Sequence, residues 1–146
     1  MEPTPKGWPR LATTIYCKNA AKHIDWLCTA FGFEIRLKVE GEGGRIEHSE
    51  VVFGEAVLMV GDESAQQSKD RADLVSPLSL GGKNTQGIMI YVDDVNAHHA
   101  RAQAAGAVIT IEPKVSDYGE EYWVDKTYGC VDPEGHHWWF AERVRG

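Results

Sequence analysis

The segment VDPEGHHWWF, residues 131–140, sets two histidines against two tryptophans directly after a turn. Histidine is the commonest metal-ligand side chain, and tryptophan makes flat ligand walls. His136 and His137 therefore have three possible roles: to hold a metal, to line a pocket or to finish a sheet. A second pair, His48 and Glu50 in HSEVVF, is spaced by two. On a strand that spacing puts both side chains on one face, where both can touch one ligand or serve as acid and base. A polar pair at a rim is the alternative reading. A lone His–Glu pair is a poor zinc site unless other chains complete it. The sequence contains no HExxH, GxSxG or Walker pattern.

The elements that must position these groups come in two copies. IYCKNAAKHIDWLCTAFGFEI starts at Ile15 and IYVDDVNAHHARAQAAGAVI at Ile90. Each runs from a strand end to a helix N-cap, Asn19 or Asp94, and then through a helix to a glycine stop. Ala20, Ile24, Leu27, Cys28 and Phe31 form the apolar stripe of the first helix. Val95, His99, Ala102 and Gly106 occupy the stripe of the second. Strand-like segments follow at 34–39, 45–53 and 55–60, and again at 108–111, 122–131 and 136–141. DPEG is a turn with Pro133 second and Gly135 fourth. Each half reads β-α-β-β-β. The chain is expected to be α+β, one domain over 1–146, with module one at 11–62, a polar linker at 63–83 and module two at 84–142.

Strand alternation assigns faces. Thr13, Ile15 and Cys17 suit the helix side, as do Val51, Phe53, Ala56, Leu58, Val60, Ile88, Ile90 and Val92. The opposite side then carries Ala12, Thr14, Tyr16, His48, Glu50, Val57, Met59, Gly87, Met89 and Tyr91. In the last strand His136, Trp138 and Phe140 share the helix side, and His137, Trp139 and Ala141 share the other. His23, His98 and His99 fall on helices and are expected to be structural. His99, in the place of Ile24, reads as a half-buried core residue.

Five segments in order carry a resemblance: NAAKHIDWLCTAFGFE, RIEHSEVVFGEAVLMVGDE, SPLSLGG, IYVDDVNAHHARAQAAGA and YWVDKTYGCVDPEGHHWWF. Together they resemble the vicinal oxygen chelate superfamily, which includes glyoxalase I, extradiol dioxygenases and bleomycin-resistance proteins. The chain is most similar to the glyoxalase-like proteins named after the phosphonate operon. The likeness covers residues 11–142 and implies two modules whose curled sheets form a cup, with helices outside. It also implies pairing of modules within a chain or across a dimer; a homodimer is expected. Metal-dependent members hold their ion at positions that match Ala12, Met59, Gly87 and Trp139. None of these four side chains can ligate a divalent metal, so the resemblance implies a cup without metal or other cofactor.

A cup of that kind works by shape, stacking and hydrogen bonds. Its expected ligand-binding residues are Tyr16, His48, Glu50, Met59, Met89, Tyr91, Tyr122, Trp123, Asp125, His137 and Trp139. Aromatic rings near Glu50 and Asp125 favour an aromatic or cationic small molecule. The competing function is a glyoxalase-type lyase or isomerase acting beside a carbonyl, with His48 or Glu50 as base. That chemistry also needs an electrophile, which the four matched positions do not supply.

The totals exclude other classes. The 146 residues are 42% hydrophobic and carry a formal charge of −7, with lysines and arginines scattered. No basic patch points to nucleic acid. No stretch approaches the roughly 20 apolar residues of a membrane span, and MEPTPKGWPR lacks a signal-peptide core. A cytoplasmic location is expected. Cys17, Cys28 and Cys130 form no CxxC pair and read as reduced core thiols. Trp8, in the N-terminal arm, is expected either to cap a neighbouring subunit or to hang free.

Overall fold

Short alternating segments pair into two four-stranded sheets, ordered β1-β4-β3-β2 and β5-β8-β7-β6. The first holds β1 (Thr13–Cys17), β2 (Glu34–Glu40), β3 (Ile46–Phe53) and β4 (Ala56–Asp62). The second holds β5 (Gly87–Tyr91), β6 (Val108–Asp117), β7 (Val124–Val131) and β8 (His137–Arg145). Helices α1 (Ala20–Phe31) and α2 (Val95–Ala104) follow the first strand of each unit. The structure, a computed structural model, describes residues 1–63, 70 and 73–146. The remaining residues of the expected linker lie outside the described ones. Each unit is β-α-β-β-β, and the first and last strands of each sheet run parallel side by side. No helix among the described residues is long and apolar enough to cross a membrane.

Local chemistry sets the helix ends. Asn19 Oδ1 accepts from Lys22 N at 3.1 Å, and Asp94 Oδ1 accepts from Ala97 N at 2.9 Å. Gly32 closes α1 at φ 85°, a left-handed conformation that glycine adopts without strain. In α2 the buried stripe is Val95, His98 and Ala102. It therefore passes through His98, where the sequence places His99. His99 is half-buried and meets the edge of Tyr128 instead. Cys28, expected on the α1 stripe, is also only half-buried. All three cysteines are free.

The helix-facing sides of both sheets and both helices share one core. Phe31, at the end of α1, touches Trp138 and Phe140 of β8 with ring centroids 5.0 and 4.7 Å apart. Trp26 of α1 donates its indole N–H to Ala105 O, after α2, at 2.8 Å. The opposite faces of the two sheets therefore point away from this core. The sheets curl but do not close on each other within the chain.

The DPEGH turn fastens the two units together. Asp132 accepts from Glu134 N and His136 N within its own turn, and from the Trp138 indole at 2.9 Å. It also meets His23 Nε2 of α1 at 2.9 Å and His136 Nδ1 at 3.0 Å. Burial alone would raise its carboxyl pKa; the bonds from His136 and His23 outweigh that and hold it well below the usual range. Glu134 accepts from Lys18 N at 2.7 Å, from Asn19 N at 3.2 Å and from Ser76 Oγ at 2.9 Å. Asp62 accepts from Ala20 N and Ile46 N. Carboxylates from the DPEGH turn and from the end of β4 thus satisfy the free N–H groups and the dipole at the start of α1.

Candidate functional site: two open sheet faces

His136 and His137 are neighbours in sequence and sit in different environments. His136 is buried in the joint between the units, with Nε2 donating to Tyr16 O at 2.9 Å. His137 is half-buried on the opposite face of β8, in register with Gly87. A step of one residue along a strand reverses the face, so only the second histidine can meet a ligand on the open side.

Trp139 dominates the open face of the second sheet. Its ring lies across Gly87, where an added Cβ would stand 2.6 Å from ring carbon Cζ3. Its indole nitrogen lies beside Gly129, 3.4 Å from where a Cβ would stand. Two side-chain-free positions make a shelf for the indole, which stays 38% exposed. Met89 and Tyr91 continue this face and are exposed. Tyr91 Oη donates to Asp125 Oδ2 at 3.2 Å and accepts from Arg143 Nη2. Arg143 also pairs with Asp125, and its guanidinium stacks over Tyr91 at 5.3 Å and Trp123 at 5.2 Å. Tyr122 and Tyr118 flank Trp123, with ring centroids 6.0 and 5.8 Å away.

The open face of the first sheet is more polar. His48 Nε2 meets Glu50 Oε2 at 2.8 Å, and Arg36 Nε donates to Glu50 Oε1 at 2.8 Å. Both carboxylate oxygens are engaged. His48 first and Arg36 second hold the Glu50 carboxyl below its ordinary pKa, against the effect of burial. Arg36 lies 4.8 Å over the Trp8 ring and donates to Gly7 O. Trp8 therefore packs on its own chain and does not hang free. Residues 4–9 of the arm, with Arg36, Val52, Gly54, Glu55 and Val57, line a cavity of about 630 Å³. Tyr16 is half-buried beside Gly61, and Met59 is half-buried opposite Thr14.

The expected site residues thus fall into two groups. Tyr16, His48, Glu50 and Met59 occupy one face, and Met89, Tyr91, Trp123, Asp125, His137 and Trp139 the other, with Tyr122 at its margin. Within one chain these groups do not meet. The sequence reading missed Arg36 and Arg143, which neutralise Glu50 and Asp125. Arg143 was legible, because it continues the alternation of His137, Trp139 and Ala141. Arg36 was not, because it falls at a register shift between Ile35 and Leu37. The metal-ligand positions of the resembled fold offer a methyl, a thioether, no side chain and an indole, a set that does not fit a divalent ion.

Known proteins place this architecture. The Mycobacterium bovis protein Mb0911c is 32% identical over 138 residues, covering 94% of this chain and 85% of its own length. Rv0887c of Mycobacterium tuberculosis is likewise 32% identical over 138 residues, covering 94% of this chain and 76% of its own. Among solved structures, TioX from Micromonospora sp. ML1 superposes with a TM-score of 0.68 at 25% identity, covering 94% of this chain and 98% of that one. A glyoxalase/bleomycin resistance protein/dioxygenase family enzyme from Burkholderia phytofirmans PsJN shares the fold, with a TM-score of 0.62 at 15% identity over 91% of this chain and 97% of its own. A family model matches residues 10–140, and the chain belongs to the Glyoxalase/Bleomycin resistance protein/Dioxygenase superfamily.

Proposed function

We propose that the protein binds a small planar aromatic molecule, without a metal in the hollow, on the face that carries Trp139 and Tyr91. The observation that carries this reading is the Trp139 indole spread over Gly87 and Gly129, exposed and ready to stack. Asp125 and Glu50 are each paired with an arginine. An aromatic guest therefore fits better than a simple cation, since no unpaired carboxylate waits for it. The lyase or isomerase alternative asks Glu50 to take a proton, yet both of its oxygens are already hydrogen-bonded.

The second wall of the hollow comes, in this reading, from a second copy of the chain. The two open faces point away from the shared core, and Met89, Tyr91, Leu37 and Val39 are exposed on them or at their edges. Exposed apolar groups of this kind mark interaction surfaces. Light scattering on the purified chain should give twice the monomer mass; a monomer at all concentrations contradicts the paired hollow. A thermal-shift screen of planar aromatic compounds, with metal-chelated protein, tests binding. Stabilisation by a subset of compounds is expected. Turnover of a hemithioacetal that depends on added metal and on His48 would favour the enzyme instead.

A further inference from the structure

Outside both open faces, Cys17, His23 and His136 bring ligand atoms within 4.8 Å of one another, all buried. Asp132 borders the two histidines, its Oδ2 2.9 Å from His23 Nε2 and 3.0 Å from His136 Nδ1. Cys17 ends β1, His23 is on α1, and Asp132 and His136 belong to the DPEGH turn, so the cluster ties one unit to the other. We propose that Cys17, His23, Asp132 and His136 form a structural metal site of the zinc class.

The donor set is one thiol, two imidazoles and one carboxylate, four in number and closed to water. That matches the protein-only tetrahedral coordination of structural zinc. Zinc bonds of about 2.0–2.3 Å separate tetrahedral ligand atoms by about 3.3–3.8 Å, so the Cys17, His23 and His136 atoms, within 4.8 Å of one another, would close in by up to about 1 Å around the ion. The surrounding bonds are those that orient metal ligands. His136 Nε2 donates to Tyr16 O, which turns Nδ1 toward the cluster. The Trp138 indole donates to Asp132 Oδ2, and two backbone N–H groups hold Oδ1. The charge count of the site is also right: a thiolate and a carboxylate balance one divalent ion, with both imidazoles neutral.

The test uses the full chain refolded with one equivalent of zinc or cobalt(II) and then gel-filtered. About one metal per chain is expected, with a thiolate-to-cobalt charge-transfer band in the near ultraviolet and a tetrahedral visible spectrum. Cys17→Ser should lose that band and hold zinc at least tenfold more weakly. His99→Gln, outside the cluster, should keep both. Protein that refolds natively yet retains no metal overturns the proposal, as does a cobalt spectrum without the thiolate band. If Cys17→Ser does not fold, the cobalt spectrum of the unmodified chain decides alone. Undiminished zinc affinity in a folded Cys17→Ser would also overturn it.

Discussion

The joint between the units and the open sheet faces use the same residue types to opposite ends. In the joint, His23, His136 and Trp138 converge on a single buried carboxylate, Asp132. On the second sheet's face, His137, Trp139 and Trp123 are partly exposed, and Trp123 lies against the arginine of an arginine–aspartate pair. The difference teaches that histidine and tryptophan carry no function by identity. Partner and exposure decide: polar groups that satisfy each other out of water make structure, and those left facing solvent are available for a ligand.

The largest expected effect comes from breaking the joint. Asp132→Ala leaves two histidines and an indole without their shared acceptor. A loss of roughly 3–5 kcal/mol is expected by urea unfolding, as when one partner of a buried pair is removed. Phe31→Ala should cost about 3–5 kcal/mol by the same measurement, because it opens a cavity against Trp138 and Phe140. His137→Ala, on the open face, should change stability by only about 0.5 kcal/mol. Equal losses for Asp132→Ala and His137→Ala would erase the distinction between the regions.

A pH effect of middle size separates core from surface more finely. His98 is buried; Nε2 meets Phe31 O at 2.8 Å and Nδ1 meets the Tyr128 hydroxyl at 2.6 Å. Burial first, and Arg101 after it, push its pKa below the ordinary 6.5. The unfolded chain then binds the proton more readily than the folded one. Stability from this group is whole above about pH 6.5 and is lost as pH falls from there toward the depressed folded value. Melting temperature followed downward from neutral pH should fall, with a shallower slope in His98→Gln. Identical slopes would remove His98 from the acid response.

At the proposed binding face the expected stability effect is again small. Trp139→Ala should cost about 1 kcal/mol of stability while weakening a bound aromatic compound by roughly two- to tenfold. Unchanged affinity would move the ligand elsewhere.

Much of this contrast was legible in alternation alone. Ile15 and Cys17 face the core and Trp139 faces out, as the period of two requires. The joint was not legible. DPEG reads locally as a turn, but Glu134 reaches Lys18 and Asn19 across more than a hundred residues of chain, and no local pattern reports such a contact. The phase of α2 was off by one position, because small residues all round it leave the stripe weakly marked. Strand β6 runs on to Asp117 past Pro113, at a register shift on the edge of the sheet where proline is tolerated.

The contrast meets its most direct test in the five indole N–H resonances of the unmodified protein. Titration with a compound that raises the melting temperature should shift Trp139, with Trp123 following, while Trp26 and Trp138, bonded to Ala105 O and Asp132, stay in place. A titration that moves Trp26 and Trp138 and leaves Trp139 unchanged would contradict the assignment of binding to the open face.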